Sequence, residues 1–184
     1  MNDITIILDR SGSMSQLKSF VIEHFNDFIK EYKATGEKSY FNLVQFDHEV
    51  EKIIDNIPVE KVKPLKKSDF QPRGTTSLND AVGITIQEKL ETYKKKDKVV
   101  IAIITDGREN SSVEYSLNQV KKMVNHARAK GWKILFFGAK QDAVREGSQR
   151  GIKAQHSFDI DFSSHGIKRS MKIISEEIQD RNKV

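Results

Sequence analysis

Asp9-Arg10-Ser11-Gly12-Ser13 carries one carboxylate and two hydroxyls at alternate positions, with a glycine between the hydroxyls. An apolar run over residues 4–8 leads into it and a helical pattern leaves it, so the stretch reads as strand, tight loop and helix start. Such a loop turns its oxygens toward one small volume, a hard-oxygen arrangement for a small divalent cation. Two later polar loops resemble it in placement. Arg73-Gly74-Thr75-Thr76-Ser77 precedes a helical pattern, and Thr105-Asp106-Gly107 ends the strongest strand signal of the chain. The three loops together offer the carboxylates of Asp9 and Asp106 and the hydroxyls of Ser11, Ser13 and Thr75. Thr75 is preferred to its neighbour Thr76 because it directly follows the glycine.

Hydroxyls are neutral, so a cation held by this set keeps surplus charge if one carboxylate reaches it only through water. Such an ion should draw in a further anion. The helix start at Ser13-Met14 adds partial positive charge at the same place. Mg²⁺ suits the set best, since it takes six oxygens at ~2.1 Å in octahedral geometry and retains waters; Mn²⁺ is a reasonable substitute. Calcium usually takes more carboxylate and carbonyl oxygens and ranks lower.

The elements that must position these loops alternate along the chain. Leu17, Val21, Phe25, Phe28 and Tyr32 follow helical spacing from about Met14 to Gly36, with Ser13 and Gln16 placed as a capping box. A hairpin is predicted over residues 41–57, turning at Asp47-His48, and the three prolines mark an irregular connection after it. Leu78, Val82, Ile86, Leu90 and Tyr93 share a second helix face, which ends in Lys94-Lys95-Lys96. Strands over residues 99–104 and 134–137 bracket a third helix. A short helix over 142–149, a last strand over 155–160 and a final helix carrying Ile167, Met171, Ile174 and Ile178 complete the pattern. This argues for an α/β, three-layer, Rossmann-like doubly wound sheet, mostly parallel with one antiparallel edge strand, in a single domain over residues 1–184. In such sheets ligands bind beyond the carboxyl ends of the strands where strand order reverses. Asp9 and Asp106 become neighbours there if the first and fourth strands pair.

Composition narrows the function classes. The 184 residues, 37% hydrophobic and 31% charged, suit a globular domain with a sizeable core. No apolar stretch approaches the ~20 residues of a membrane span. There is no cysteine and no leader-like start, and a cytoplasmic protein is expected. The net charge of +5 is scattered over solvated helix faces, with no aromatic-basic motif to support nucleic-acid binding.

The three-loop pattern resembles the metal-ion-dependent adhesion site of von Willebrand factor type A domains, over nearly the whole chain. The nearest likeness is to stand-alone bacterial and phage members, through the phrases Asp-Arg-Ser-Gly-Ser-Met and Thr-Asp-Gly-x-Glu-Asn. The resemblance implies that Ser11, Ser13 and Thr75 bind the ion through hydroxyls. Asp9 and Asp106 reach it directly or through water, and a carboxylate from a partner protein fills the open position. Arg73-Gly74 stands where Gly-Gly is commoner, which adds a cation near the rim.

Each of these residues also has an ordinary structural role. Ser13 could be only an N-cap, Thr75 a cap of the next helix, and the aspartates turn formers at strand ends. Asp80 is expected to stabilise the N-terminus of its own helix, and Glu109 and Asn110 to lie in solvated loop, with rim contacts second. The five histidines show no ligand spacing, and Trp132 is expected in the core. A metal-dependent phosphohydrolase with Asp9 as nucleophile is the competing activity. Ser11 stands where such enzymes place a second aspartate, and no GxxxxGK[ST] loop is present. A metal-dependent, non-enzymatic protein-binding module is therefore the leading expectation.

Overall fold

The computed structural model describes residues 1–92, 97–139 and 142–182; Tyr93 and the Lys94-Lys95-Lys96 run lie outside the described residues. In chain order the elements are β1 (Asn2–Asp9), α1 (Lys18–Ala34), β2 (Ser39–Phe46), β3 (Val50–Pro58), α2 (Leu78–Thr92), β4 (Lys98–Thr105), α3 (Leu117–Ala129), β5 (Lys133–Ala139), α4 (Ala143–Gln149), β6 (Ser157–Ile160) and α5 (Ser164–Asn182). The strands form one sheet in the order β3-β2-β1-β4-β5-β6. Only the β2–β3 pair is antiparallel, at the sheet edge. The expected Rossmann-like architecture is the one observed.

Side-chain alternation explains the layers. Ile4, Ile6 and Leu8 of β1 and Val100, Ala102 and Ile104 of β4 point to one face, where Val21, Phe25 and Phe28 of α1 and Ile174 and Ile178 of α5 cover them. The odd-numbered partners Ile7, Ile101 and Ile103 point to the other face, against Val82 and Ile86 of α2 and Val120 and Val124 of α3. Both faces of the central strands are buried, so β1 and β4 read as continuous apolar runs. Trp132 is buried in the second layer, as expected.

β1 lies between β2 and β4, so the chain leaves it toward opposite sides and strand order reverses there. The register pairs Leu8 with Ile104, which brings Asp9 and Thr105 to the same carboxyl edge.

The entry to α1 departs from the sequence expectation. Residues Gly12–Leu17 form a 3₁₀ segment, with Met14 N–H donating to Ser11 C=O at 2.9 Å, and the α-helix begins only at Lys18. Ser11 occupies the cap position without a side-chain cap bond, so the Ser13–Gln16 capping box does not form. Ser13 spends its hydroxyl elsewhere. A capping box does occur at Ser116 and Gln119, which start α3.

Candidate metal centre

Loop one (residues 9–13), loop two (residues 73–77) and loop three (residues 105–112) meet at the carboxyl edge of β1 and β4. Asp9 is fully buried. One of its oxygens accepts from Ser11 N–H at 2.6 Å and the other from Thr105 Oγ1 at 2.6 Å. Ser13 Oγ donates to Asp106 Oδ1 at 2.7 Å and lies 3.2 Å from Ser11 Oγ. Asp9, Ser11, Ser13 and Asp106 are therefore brought together. Asp106 Oδ2 is buried and has no hydrogen-bond partner among the described residues. A buried, unpaired carboxylate oxygen costs about 1–3 kcal/mol or more, unless a cation or proton satisfies it.

The two threonines of loop two part company. Thr75 is exposed, whereas Thr76 is buried. A Cβ built on Gly107 would sit 2.9 Å from Thr76 Oγ1 and 3.6 Å from Asp9 Oδ2. The Thr76 hydroxyl thus lies against Gly107, where a side chain would crowd it, and an Asp9 carboxylate oxygen lies near the same point. Thr75, which directly follows Gly74, is the residue the spacing favours. Gly74 adopts φ +64°, and the hydroxyl that reaches the cluster belongs to the residue after the next one.

Electrostatics at the centre favour a cation. Burial pushes the Asp9 carboxyl above its ordinary value; hydrogen bonds from Ser11 and Thr105 pull it down, and the Asp106 charge pushes it up again. Two carboxylates here repel one another until a positive charge is placed between them. The donors are all hard oxygens, which fits Mg²⁺ or Mn²⁺ and not a thiolate-seeking metal.

Around this centre the loops are clamped by residues whose roles the sequence did not show. Asp47, fully buried at the β2–β3 turn, accepts from Arg10 Nε and Arg73 Nε, each at 2.9 Å. Arg73 N–H donates to Arg10 C=O at 2.8 Å, and Gly12 N–H to Gly74 C=O at 3.1 Å. Loop one, loop two and the hairpin are thereby tied, and Arg73 serves this tie as well as the rim. Burial works against the Asp47 charge, but the Glu49 N–H and the two arginines outweigh it and hold the carboxyl below its ordinary value.

Loops two and three are stitched reciprocally. Glu109 accepts from Asn79 N–H at 2.7 Å, and also from Ser111 N–H, Ser112 N–H and Ser112 Oγ. Asp80 accepts from Val113, Glu114 and Tyr115 N–H. Asn110 holds both backbone groups of Thr76. Glu109 and Asn110 thus tie the loops as well as lying in exposed or half-exposed loop, and Asp80, in the first turn of α2, also secures residues 113–115.

Two further clusters could hold a divalent cation, Glu23–His24–Asp27 and Asp47–His48–Glu49, with ligand atoms within 4.8 Å of one another. His24 already shares a hydrogen bond with Ser164 Oγ at 2.8 Å, and Asp47 faces two guanidinium groups.

The profile of the von Willebrand factor type A domain matches residues 3–164. No curated protein matches the chain. Among solved structures, proximal thread matrix protein 1 from the mussel byssus is similar, in one case with a zinc-occupied MIDAS motif (TM-score 0.69, 17% identity, 95% of this chain and 47% of that one). The PilB minor pilin of Streptococcus sanguinis is similar at TM-score 0.69 and 13% identity, over 97% of this chain and 61% of that one. The vWF domain of the type V pili tip protein Mfa5 from Porphyromonas gingivalis has TM-score 0.69 and 11% identity, over 97% and 95%. The chain thus spans about half the length of the mussel protein.

These relatives correct one expectation. A byssus thread, a pilus and a pilus adhesin lie outside the cell, so the cytoplasmic assignment does not stand. The physical reason is that a cysteine-free domain with a core this large needs no disulfides in any compartment, so their absence identifies none. Among the described residues no helix is long and apolar enough to cross a membrane. With its profile matched over residues 3–164 and its sheet order and three-loop centre in place, the chain belongs to the von Willebrand factor type A domain family.

Proposed function

We propose that residues 1–184 form one metal-dependent protein-binding module, of the kind whose loop phrases occur in bacterial and phage members of the family. Asp9, Ser11, Ser13, Asp106 and a threonine hydroxyl of loop two hold Mg²⁺, with Mn²⁺ as a substitute. An Asp or Glu carboxylate of a partner protein completes the coordination sphere. The threonine is Thr76, which is buried with its hydroxyl against Gly107, in preference to the exposed Thr75. The observation that carries the reading is the buried Asp106 Oδ2, without a hydrogen-bond partner among the described residues, on a carboxylate whose other oxygen accepts from Ser13 Oγ, itself 3.2 Å from Ser11 Oγ. The zinc-occupied MIDAS motif of the mussel relative supports a divalent ion in this fold.

The reading is of a binding module and not an enzyme. Both oxygens of Asp9 are engaged and the residue is fully buried, which suits a ligand-bearing or positioning carboxylate better than a nucleophile that must meet a phosphorus atom. Titration of the metal-depleted protein with Mg²⁺ and Mn²⁺ should show one saturable site that Asp106→Ala removes. Capture of a partner through an acidic residue should then be reversed by chelator. Capture unchanged by both chelator and Asp106→Ala would sink the proposal.

A further inference from the structure

The Thr76 hydroxyl can serve a cation only if its backbone is held in place, and that backbone lies ahead of α2, whose first residue is Leu78. An N–H at this point has no carbonyl within the helix to donate to. Asn110 supplies the partner. Its Oδ1 accepts from Thr76 N–H at 2.9 Å, and its own N–H donates to Thr76 C=O at 3.0 Å. Both polar backbone groups of Thr76 are therefore fixed by one residue, four positions after Asp106. Glu109, next to Asn110, is itself anchored to the start of α2 through Asn79 N–H, so the clamp does not drift. Thr75, by contrast, makes no such bond among the described residues.

We infer that Asn110 is a positioning residue for the cation: it fixes the Thr76 backbone so that Thr76 Oγ1 stands over Gly107, at the centre, without itself touching the metal. The inference rests on the proposed metal-binding reading and names a residue that reading does not include. Asn110 is exposed, so replacing it with alanine leaves the core intact, and the backbone bond to Thr76 C=O survives.

The test is calorimetric titration of the metal-depleted full chain with Mn²⁺, for wild type, Asn110→Ala, Thr76→Ala and the double variant. Asn110→Ala should raise the dissociation constant about tenfold or more, the range of outer-shell groups at metal sites. Its metal-free melting temperature should stay within about 3 °C of wild type. In the Thr76→Ala background the same substitution should add nothing, because the group it positions is gone. An Asn110→Ala affinity within about twofold of wild type, or an equal loss in both backgrounds, overturns the inference. Wild type without a saturable site, or Asp106→Ala binding as wild type does, overturns the metal-binding reading, and the positioning role falls with it.

Discussion

Single atoms decide the chemistry of the centre. Gly107 leaves room for the Thr76 hydroxyl, and a methyl group there would come within 2.9 Å of it. Gly107→Ala should therefore push the hydroxyl aside and weaken Mn²⁺ binding about tenfold, measured by titration, with the fold retained. Asp9 sets the pH dependence. Its carboxyl lies above the ordinary 3.8, chiefly through burial, so the neutral form persists to higher pH than in an exposed aspartate. A cation must displace that proton, so affinity should fall as the solution is acidified toward and through the raised value, with proton release on binding that grows over the same interval. For the metal-free fold the sign is opposite. The raised carboxyl contributes stability that is complete below 3.8 and is lost as pH rises through its folded value, which leaves the apo centre under strain at neutral pH. Metal affinity independent of pH over that interval would refute this account of Asp9.

Elements hold these atoms through carboxylates whose further partners sequence spacing does not show. Asp80 lies in the first turn of α2, as a helix-dipole partner does, and its oxygens also take the three consecutive N–H groups of Val113, Glu114 and Tyr115. Asp80→Ala should cost about 3 kcal/mol in denaturant unfolding, because the N–H groups lose a charged acceptor together. The clamp at Asp47 gives a different signature. Its carboxyl lies below 3.8, so its contribution is complete above that value and is lost as pH falls through the depressed one. The stability gap between wild type and Asp47→Asn should be widest near neutrality and close as pH drops below about 4. A gap unchanged by acid would show that the Arg10–Asp47–Arg73 tie does not contribute through its charge. Helix α1 gives the same lesson: a serine and a glutamine at capping-box spacing yield a 3₁₀ segment when the serine hydroxyl has a carboxylate to reach across the sheet edge.

At the scale of the molecule, the unsatisfied centre couples ligand to fold. A cation that binds only the folded chain should add about 2.7 kcal/mol at a hundredfold excess over its dissociation constant. For a domain of this size that corresponds to a rise of about 8 °C in melting temperature, abolished by chelator and absent in Asp106→Ala. The sequence by itself determined the sheet and its layers, because continuous apolar runs in β1 and β4 and 3.6-residue stripes on the helices leave few ways to bury both faces. It also placed Asp9 and Asp106 at the carboxyl ends of strands that become neighbours if the first and fourth pair, which they do, since the topology rules that order such strands act through chain handedness and not side-chain detail. Tertiary structure alone decided which threonine faces the centre, that Ser13 binds Asp106 instead of capping, and that Arg73, Asp80, Glu109 and Asn110 tie the loops. These facts depend on side-chain directions and hydrogen bonds between segments about thirty or more residues apart, and at that range periodicity along the chain carries no information.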